Sequence, residues 1–274
     1  VAWFGIGFAA LSLPARADDD VPALGFAFSH YTGSGIYVVE DRTVQVYDFP
    51  ISFSPMKLEE NRLGLRVTLP ISLGFYDFKA SDVIDTGLPE NVGTASFLPG
   101  VRFDFRPAER WILGPFLEAG VAKDFEGGEL VLVGGTGIDS EVRFLDSNTI
   151  GLVRNRLVAA ASRATDTDTR ESYLEFRTSV ETSFLLPLTM RGRNTDLTGF
   201  AAAYVFHKPP EETVTRLLGE PLGQEETWVQ WEVGVTFGAR PKTKWWKVPI
   251  PRLGLSYRFG DGRDAVRIMF GGPF

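Results

Sequence analysis

Apolar and polar residues alternate along much of this chain. In LGLRVTLPISLGF the positions Leu63, Leu65, Val67, Leu69, Ile71, Leu73 and Phe75 are all apolar. Between them stand Gly64, Arg66, Thr68, Pro70, Ser72 and Gly74. A period of two places each set on its own face of a β-strand. The run is about twice the ~5–6 residues usual in a globular strand. The same signature recurs in FLPGVRFDF, where Phe97, Val101, Phe103 and Phe105 oppose Ser96, Gly100, Arg102 and Asp104. In YLEFRTSVETSF, Leu174, Phe176, Val180 and Phe184 oppose Glu175, Arg177, Ser179 and Glu181. WVQWEVGVTFG and RLGLSYRF repeat it, with Trp231, Val233, Val235, Leu255 and Tyr257 opposite Glu232, Gly234, Ser256 and Arg258. These lengths approach the ~9–11 residues with which a tilted strand crosses a bilayer.

Weaker alternation fills the gaps at 23–31, 44–54, 111–123, 128–136, 150–162 and 196–206, and the chain ends in RDAVRIMFGGPF. Together these segments predict an all-β fold, a transmembrane antiparallel up-and-down β-barrel of about 12 strands (roughly 10–14). The segment 150–162 fits a helical stripe (Ile150, Val153, Leu157, Ala160) about as well as a strand. The joins RPAER (106–110) and PLTMRGRNT (187–195) are short, whereas 77–94 and 207–227 are long and polar. An even strand count with both termini periplasmic puts the long loops outside and the short joins inside.

Three aspects of composition narrow the function. The chain of 274 residues has no cysteine, which excludes disulfides and thiolate metal sites. Its net charge of −7 offers no basic field for nucleic acid. The two histidines, His30 and His207, are far apart, so neither a metal site nor a cofactor is expected. The opening stretch VAWFGIGFAALSLPARADDD has an apolar run, Pro14 and the small-x-small pattern Ala15-Arg16-Ala17. It reads as a cleaved secretory signal over 1–17, with the barrel occupying 18–274. The alternative, an N-terminal anchor or core helix, is short for spanning and ends at Pro14.

Soluble β-sandwiches also alternate, with their apolar face inward. Long regular strands, a signal sequence and aromatics near segment ends (Trp111, Trp228, Tyr257, Phe259, Tyr204, Phe206) favour lipid instead. Lipid tolerates only a closed barrel, because an open edge leaves backbone groups unsatisfied. The polar set then faces a lumen. It includes Asp48, Arg66, Arg102, Asp104, Glu118 and Glu175, with Arg177, Glu181, Glu232, Arg252, Arg258 and Arg267. The signs balance, as in an ion-pair and water network, and no one-sign ring marks a selective pore.

GLSYRFGDG (254–262) followed by AVRIMFGGPF (265–274) resembles the last hairpin of autotransporter-type outer-membrane barrels. With about twelve strands, the chain resembles the solitary autotransporter-like β-barrel family, which has no passenger. The resemblance implies an outer-membrane location in a Gram-negative envelope and contact with outer-membrane lipids. It also implies assembly by the barrel-insertion machinery, which recognises a C-terminal strand with outward Val266, Ile268, Phe270 and Phe274. Gly272 departs from that pattern. Only DDDVP separates Ala17 from a first strand near Ala23, leaving no room for a passenger or an N-terminal plug. The expected function is a structural or transport-type barrel, at most a narrow pore and not an enzyme. Alternatives are a porin-like channel and a lipid hydrolase using the rim residue His30. Ser29 and His30 point to opposite faces of a strand, which disfavours a hydrolytic pair. His207 reads as a loop residue, and no external partner is identified.

Overall fold

The alternating segments form β-strands in the computed structural model, which describes residues 31, 33–39, 42–58, 63–76, 93–125, 128, 130–145, 149–165, 170–190, 192–207, 227–240, 244–245, 248–249, 252–260 and 265–270. The strands are β1 (Gly35–Val39), β2 (Arg42–Met56), β3 (Leu63–Tyr76), β4 (Thr94–Phe97) and β5 (Gly100–Ala108). Then come β6 (Trp111–Asp124), β7 (Leu130–Leu145), β8 (Thr149–Ala164), β9 (Arg170–Met190) and β10 (Arg193–His207). The last are β11 (Thr227–Arg240), β12 (Lys244–Trp245), β13 (Val248–Pro249), β14 (Leu253–Gly260) and β15 (Ala265–Phe270).

Sequential neighbours pair antiparallel all the way round, and β15 pairs with β1 to close the sheet. β4 and β5 are two halves of one strand, both lying between β3 and β6. Pro99 has no N–H to donate, so the ladder breaks at Leu98-Pro99. Leu98 N–H turns to the Pro70 carbonyl (3.3 Å), and the Ala119 N–H reaches the Pro99 carbonyl (3.0 Å). With β12 and β13 forming a separate small ladder, the result is a closed 12-strand barrel.

The strand directions define two rims. β1 starts and β15 ends at one, here called the terminal rim, because Gly35 lies opposite Met269. The long connections 77–93 and 208–226 both leave from the opposite rim, and the short turns 109–110 and 191–192 lie on the terminal rim. That separation of long and short connections is the expected one. The terminal rim also carries the β12–β13 ladder, whose register is Lys244 with Pro249 and Trp245 with Val248.

The two faces of the wall are inverted relative to a water-soluble protein. Leu117 is 60% exposed and Val180 54%, while their neighbours Glu118 and Glu181 are buried. Phe49, Ile51, Phe53, Leu132, Phe176, Val233, Val235 and Leu255 extend the exposed apolar belt. An apolar exterior around a charged interior is the arrangement of a membrane barrel and excludes the sandwich. Among the described residues, no helix is long and apolar enough to cross a membrane. Crossing is left to the strands.

Several expectations need correction. Of the expected first strand 23–31, only the last residue is described. Residues 23–30 lie outside the described residues, but Tyr31 is helical and buried in the lumen. The 128–136 segment continues to Leu145, and 150–162 is wholly strand, paired with β7 and β9 along its length. The supposed join 187–195 is mostly strand, because β9 runs to Met190 and β10 restarts at Arg193. The signal segment 1–17 also lies outside the described residues.

The apolar belt generates a test. Val235 and Leu255 are paired on β11 and β14 near the middle of the wall. Lysine at either should destabilise the barrel by about 2–4 kcal/mol in lipid. Equilibrium refolding into vesicles measures this, and an unchanged midpoint would place that face out of the hydrocarbon.

Candidate functional site in the lumen

Glu232 of β11 is fully buried, and its carboxylate is saturated with donors. Oε1 accepts from Ser256 Oγ (2.5 Å) and Arg267 Nη1 (3.2 Å). Oε2 accepts from Tyr204 Oη (2.6 Å) and Arg258 Nη2 (2.9 Å). These four bonds occupy the roughly four lone-pair directions a carboxylate offers. The Tyr204 ring carries the Arg258 guanidinium at 4.2 Å and that of Arg177 at 4.9 Å from its centroid. Arg177 in turn donates to Glu175 (Nε to Oε1, 2.6 Å). Five strands, β9, β10, β11, β14 and β15, therefore converge on one carboxylate and one phenol.

Two of these arginines reach beyond the wall. Arg177 Nη2 donates to the Tyr31 carbonyl (2.6 Å), and Arg267 Nη2 donates to the Ser34 carbonyl (2.9 Å). Ser34 Oγ also receives the Asp48 N–H (2.8 Å). The chain just ahead of β1 thus lies inside the barrel, contrary to the expectation that nothing plugs it. The fit is close. Gly33 has φ +89°, a backbone region disfavoured for residues with a Cβ. The Tyr31 hydroxyl faces Glu118 and sits over Gly135, where any Cβ would collide with it. The Tyr31 ring joins Phe116, Val131, Val133, Val158, Ala160 and Leu98 in an apolar cluster on the β6–β8 side.

A second network lies nearer the terminal rim. Asp104 takes both Arg66 (3.0 Å) and Arg102 (2.6 Å). Asp139 takes Arg102 and, at 3.6 Å, Arg156. Glu141 takes Arg143 (2.5 Å) and Arg154 (3.5 Å), and Arg154 also meets Glu181 (3.1 Å). These groups border a cavity of about 520 Å³. On the β10–β14 side, Arg252 pairs with Asp196 (2.5 Å) and donates to Thr198 Oγ1 (2.9 Å). Asp48 accepts a bond from Ser72 Oγ on the neighbouring strand.

The geometry therefore gathers the twelve charged candidates into several local networks instead of one. Tyr204 and its stacked neighbour Phe206 were expected at the lipid interface, but the Tyr204 ring lies in the lumen. β10 presents Ala201 and Ala203 on the other face, so side-chain size gave no guide to direction. Asp139, Glu141, Arg143, Arg154, Arg156 and Asp196 went unnoticed in the sequence. Continuing the alternation of 128–136 beyond Ile138 would have found the first three. Of the terminal-strand residues, Val266 faces outward at 43% exposure, while Arg267 and Met269 face the lumen. Ile268 is half-buried, Phe270 ends β15, and Phe274 lies outside the described residues. His207 is the last residue of β10 rather than a loop residue, with Nδ1 3.3 Å from Thr227 Oγ1. Ser29 and His30 lie outside the described residues.

The fold and lumen define the class of protein as a membrane β-barrel of outer-membrane type. No family model and no curated protein sequence matches the chain. Solved structures similar to it include LpxR from Salmonella typhimurium, at 12% identity and TM-score 0.45, over 91% of this chain and 95% of that one. The beta domain of the Bordetella autotransporter BrkA is similar at 11% identity and TM-score 0.49, over 86% and 96%. Pseudomonas aeruginosa OccK11 (OpdR) is similar at 8% identity and TM-score 0.25, over 85% and 91%. These likenesses are of outline, and the barrel assignment stands on the closed strand order itself.

Removing Glu232 leaves two buried guanidiniums without their carboxylate, a loss of about 3–5 kcal/mol. Glu232→Ala should therefore lower the denaturant midpoint of the folded barrel far more than Tyr204→Phe, which loses about 1–2 kcal/mol. Loss of the heat-modifiable band on a gel reads both. Equal effects would show that Glu232 is not the centre of this network.

Proposed function

We propose that the chain is an outer-membrane β-barrel of Gram-negative type whose resting lumen is occluded by its own residues ahead of β1. It is then a structural or gated transport barrel, not an open porin and not a hydrolase. The observation that carries this reading is the pair of main-chain tethers, Arg177 to the Tyr31 carbonyl and Arg267 to the Ser34 carbonyl. Both donors are buried arginines that also hold a carboxylate, through Nε in Arg177 and Nη1 in Arg267, so their positions are set by the wall. A wide passive channel needs a continuous water path. Here the apolar cluster around Tyr31 and the Glu232 network occupy the half of the lumen toward the opposite rim.

The outward residues of β15 support delivery by the barrel-insertion machinery, with outer-membrane lipids as the permanent partner. Closure by the short β1–β15 pairing, four residues on each strand, would be the last step of that assembly.

Planar-bilayer recording tests the occlusion. The refolded wild type should give little or no steady conductance. Arg177→Ala combined with Arg267→Ala removes both tethers and should raise the open probability or step size on the order of tenfold, a shift of about 1.4 kcal/mol in the gating equilibrium. Large steady steps from the wild type would overturn the reading. So would a double variant that retains its heat-modifiable band and stays silent.

A further inference from the structure

The charges along the lumen balance overall but not at the terminal rim. Arg66, Arg102 and Arg106 on β3 and β5 face Arg154 and Arg156 on β8 and Arg143 on β7 around the 520 Å³ cavity. Lys57, just past β2, adds a further cation. The carboxylates in the lining are Asp104, Asp139 and Glu141. Each is shared between two arginines, as described above. Even counting Glu181, which meets Arg154 from outside the lining, the cations exceed the anions by three (seven against four). This excess occurs in a chain whose net charge is −7, so it is not a reflection of bulk composition.

The arginines are placed to receive a ligand. Their side chains keep part of their surface open, 43% for Arg66, 32% for Arg154 and 29% for Arg156. The shared carboxylates and the Phe116 ring, 4.6 Å from the Arg156 guanidinium, hold the forks in place. A guanidinium held on one edge can still offer its other N–H groups to a second acceptor. Partial enclosure strengthens that attraction relative to bulk water. The volume lies within the ~300–1,000 Å³ of small-molecule sites.

We infer that this cavity is a binding site for a small organic phosphate, entering from the terminal rim. A phosphate monoester carries about −1.5 to −2 charges at neutral pH and three acceptor oxygens, which suits several converging arginine forks. Met56, Lys57 and Leu58 lie at the mouth, where β2 ends. The inference goes beyond the occluded-barrel reading, because binding in detergent does not depend on whether the lumen conducts.

Isothermal titration of the refolded full chain in micelles tests it, with glucose 6-phosphate as the probe and glucose and citrate as comparators. Saturable binding of glucose 6-phosphate, none of glucose, and weaker binding of citrate are expected. Affinity should fall as salt rises, because part of the site is screened. Arg154→Gln and Arg156→Gln should each weaken binding on the order of tenfold. Arg106→Gln and Arg143→Gln, at exposed side chains, cover the case in which the inner variants fail to fold. Together they should weaken binding severalfold with the heat-modifiable band intact. Absence of heat at roughly 10 mM probe, well above a millimolar dissociation constant, would overturn the site. Wild-type affinity in all folded variants would overturn its location, and citrate bound as tightly as the phosphate would overturn the ligand class.

Discussion

Glu232 accepts from two arginines, a tyrosine and a serine, and much of the lumen depends on that one carboxylate. It neutralises Arg258 and Arg267, and through them positions the Tyr204 ring and the Ser34 carbonyl. A buried ion pair adds little net stability, because desolvation offsets most of the attraction. What it supplies is specificity. A guanidinium with its partner removed is costly, so the strands carrying these groups are held to the register that satisfies all of them. β10, β11, β14 and β15 meet here, and the seam with β1 follows directly after.

That constraint arises from the barrel itself. Lipid contact turns every apolar phase of the alternation outward, so each polar phase must share a narrow interior. Charges that would be scattered over a soluble protein's surface are compressed into ion-pair networks. Where one carboxylate serves one group of donors, as at Glu232, the network is saturated and the lumen is filled. Around the cavity, where Asp104, Asp139 and Glu141 face five arginines with Arg106 and Lys57 beside them, positive charge remains. The two halves of the lumen differ for that reason: one is packed with tethered chain and apolar side chains, the other holds a basic cavity.

Much of the wall was legible in the sequence. The period of two in Leu63–Phe75, Leu174–Phe184 and Val229–Phe237 assigned strand and face together, since both follow from one periodicity, although β9 runs well past the patterned segment to Met190. The grouping of long and short connections followed from counting strands. Legibility failed where the pattern was short or the side chains were small. Tyr31, the last residue of the expected strand 23–31, is instead a helical lumen residue. Tyr204 looked like an interfacial aromatic, because a tyrosine suits either a headgroup or a buried carboxylate. The inward phase of β7 beyond residue 136 was missed because glycines at 134, 135 and 137 weaken the apolar contrast.

The sequence by itself determined the class of structure. Strand periodicity and the need to satisfy backbone groups in lipid permit only a closed barrel with its charged face inward. Pairing among the charges was decided by the tertiary structure. Arg154 meets Glu181 on the neighbouring strand, and Arg252 reaches past β11 to Asp196 of β10, in a register no local pattern encodes. The entry of Tyr31 and Ser34 into the lumen was decided the same way, since it depends on two arginines more than a hundred residues distant. Periodicity is a property of adjacent residues and survives in the unfolded chain. Occlusion and the local charge excess exist only once closure brings distant strands to opposite sides of one cavity.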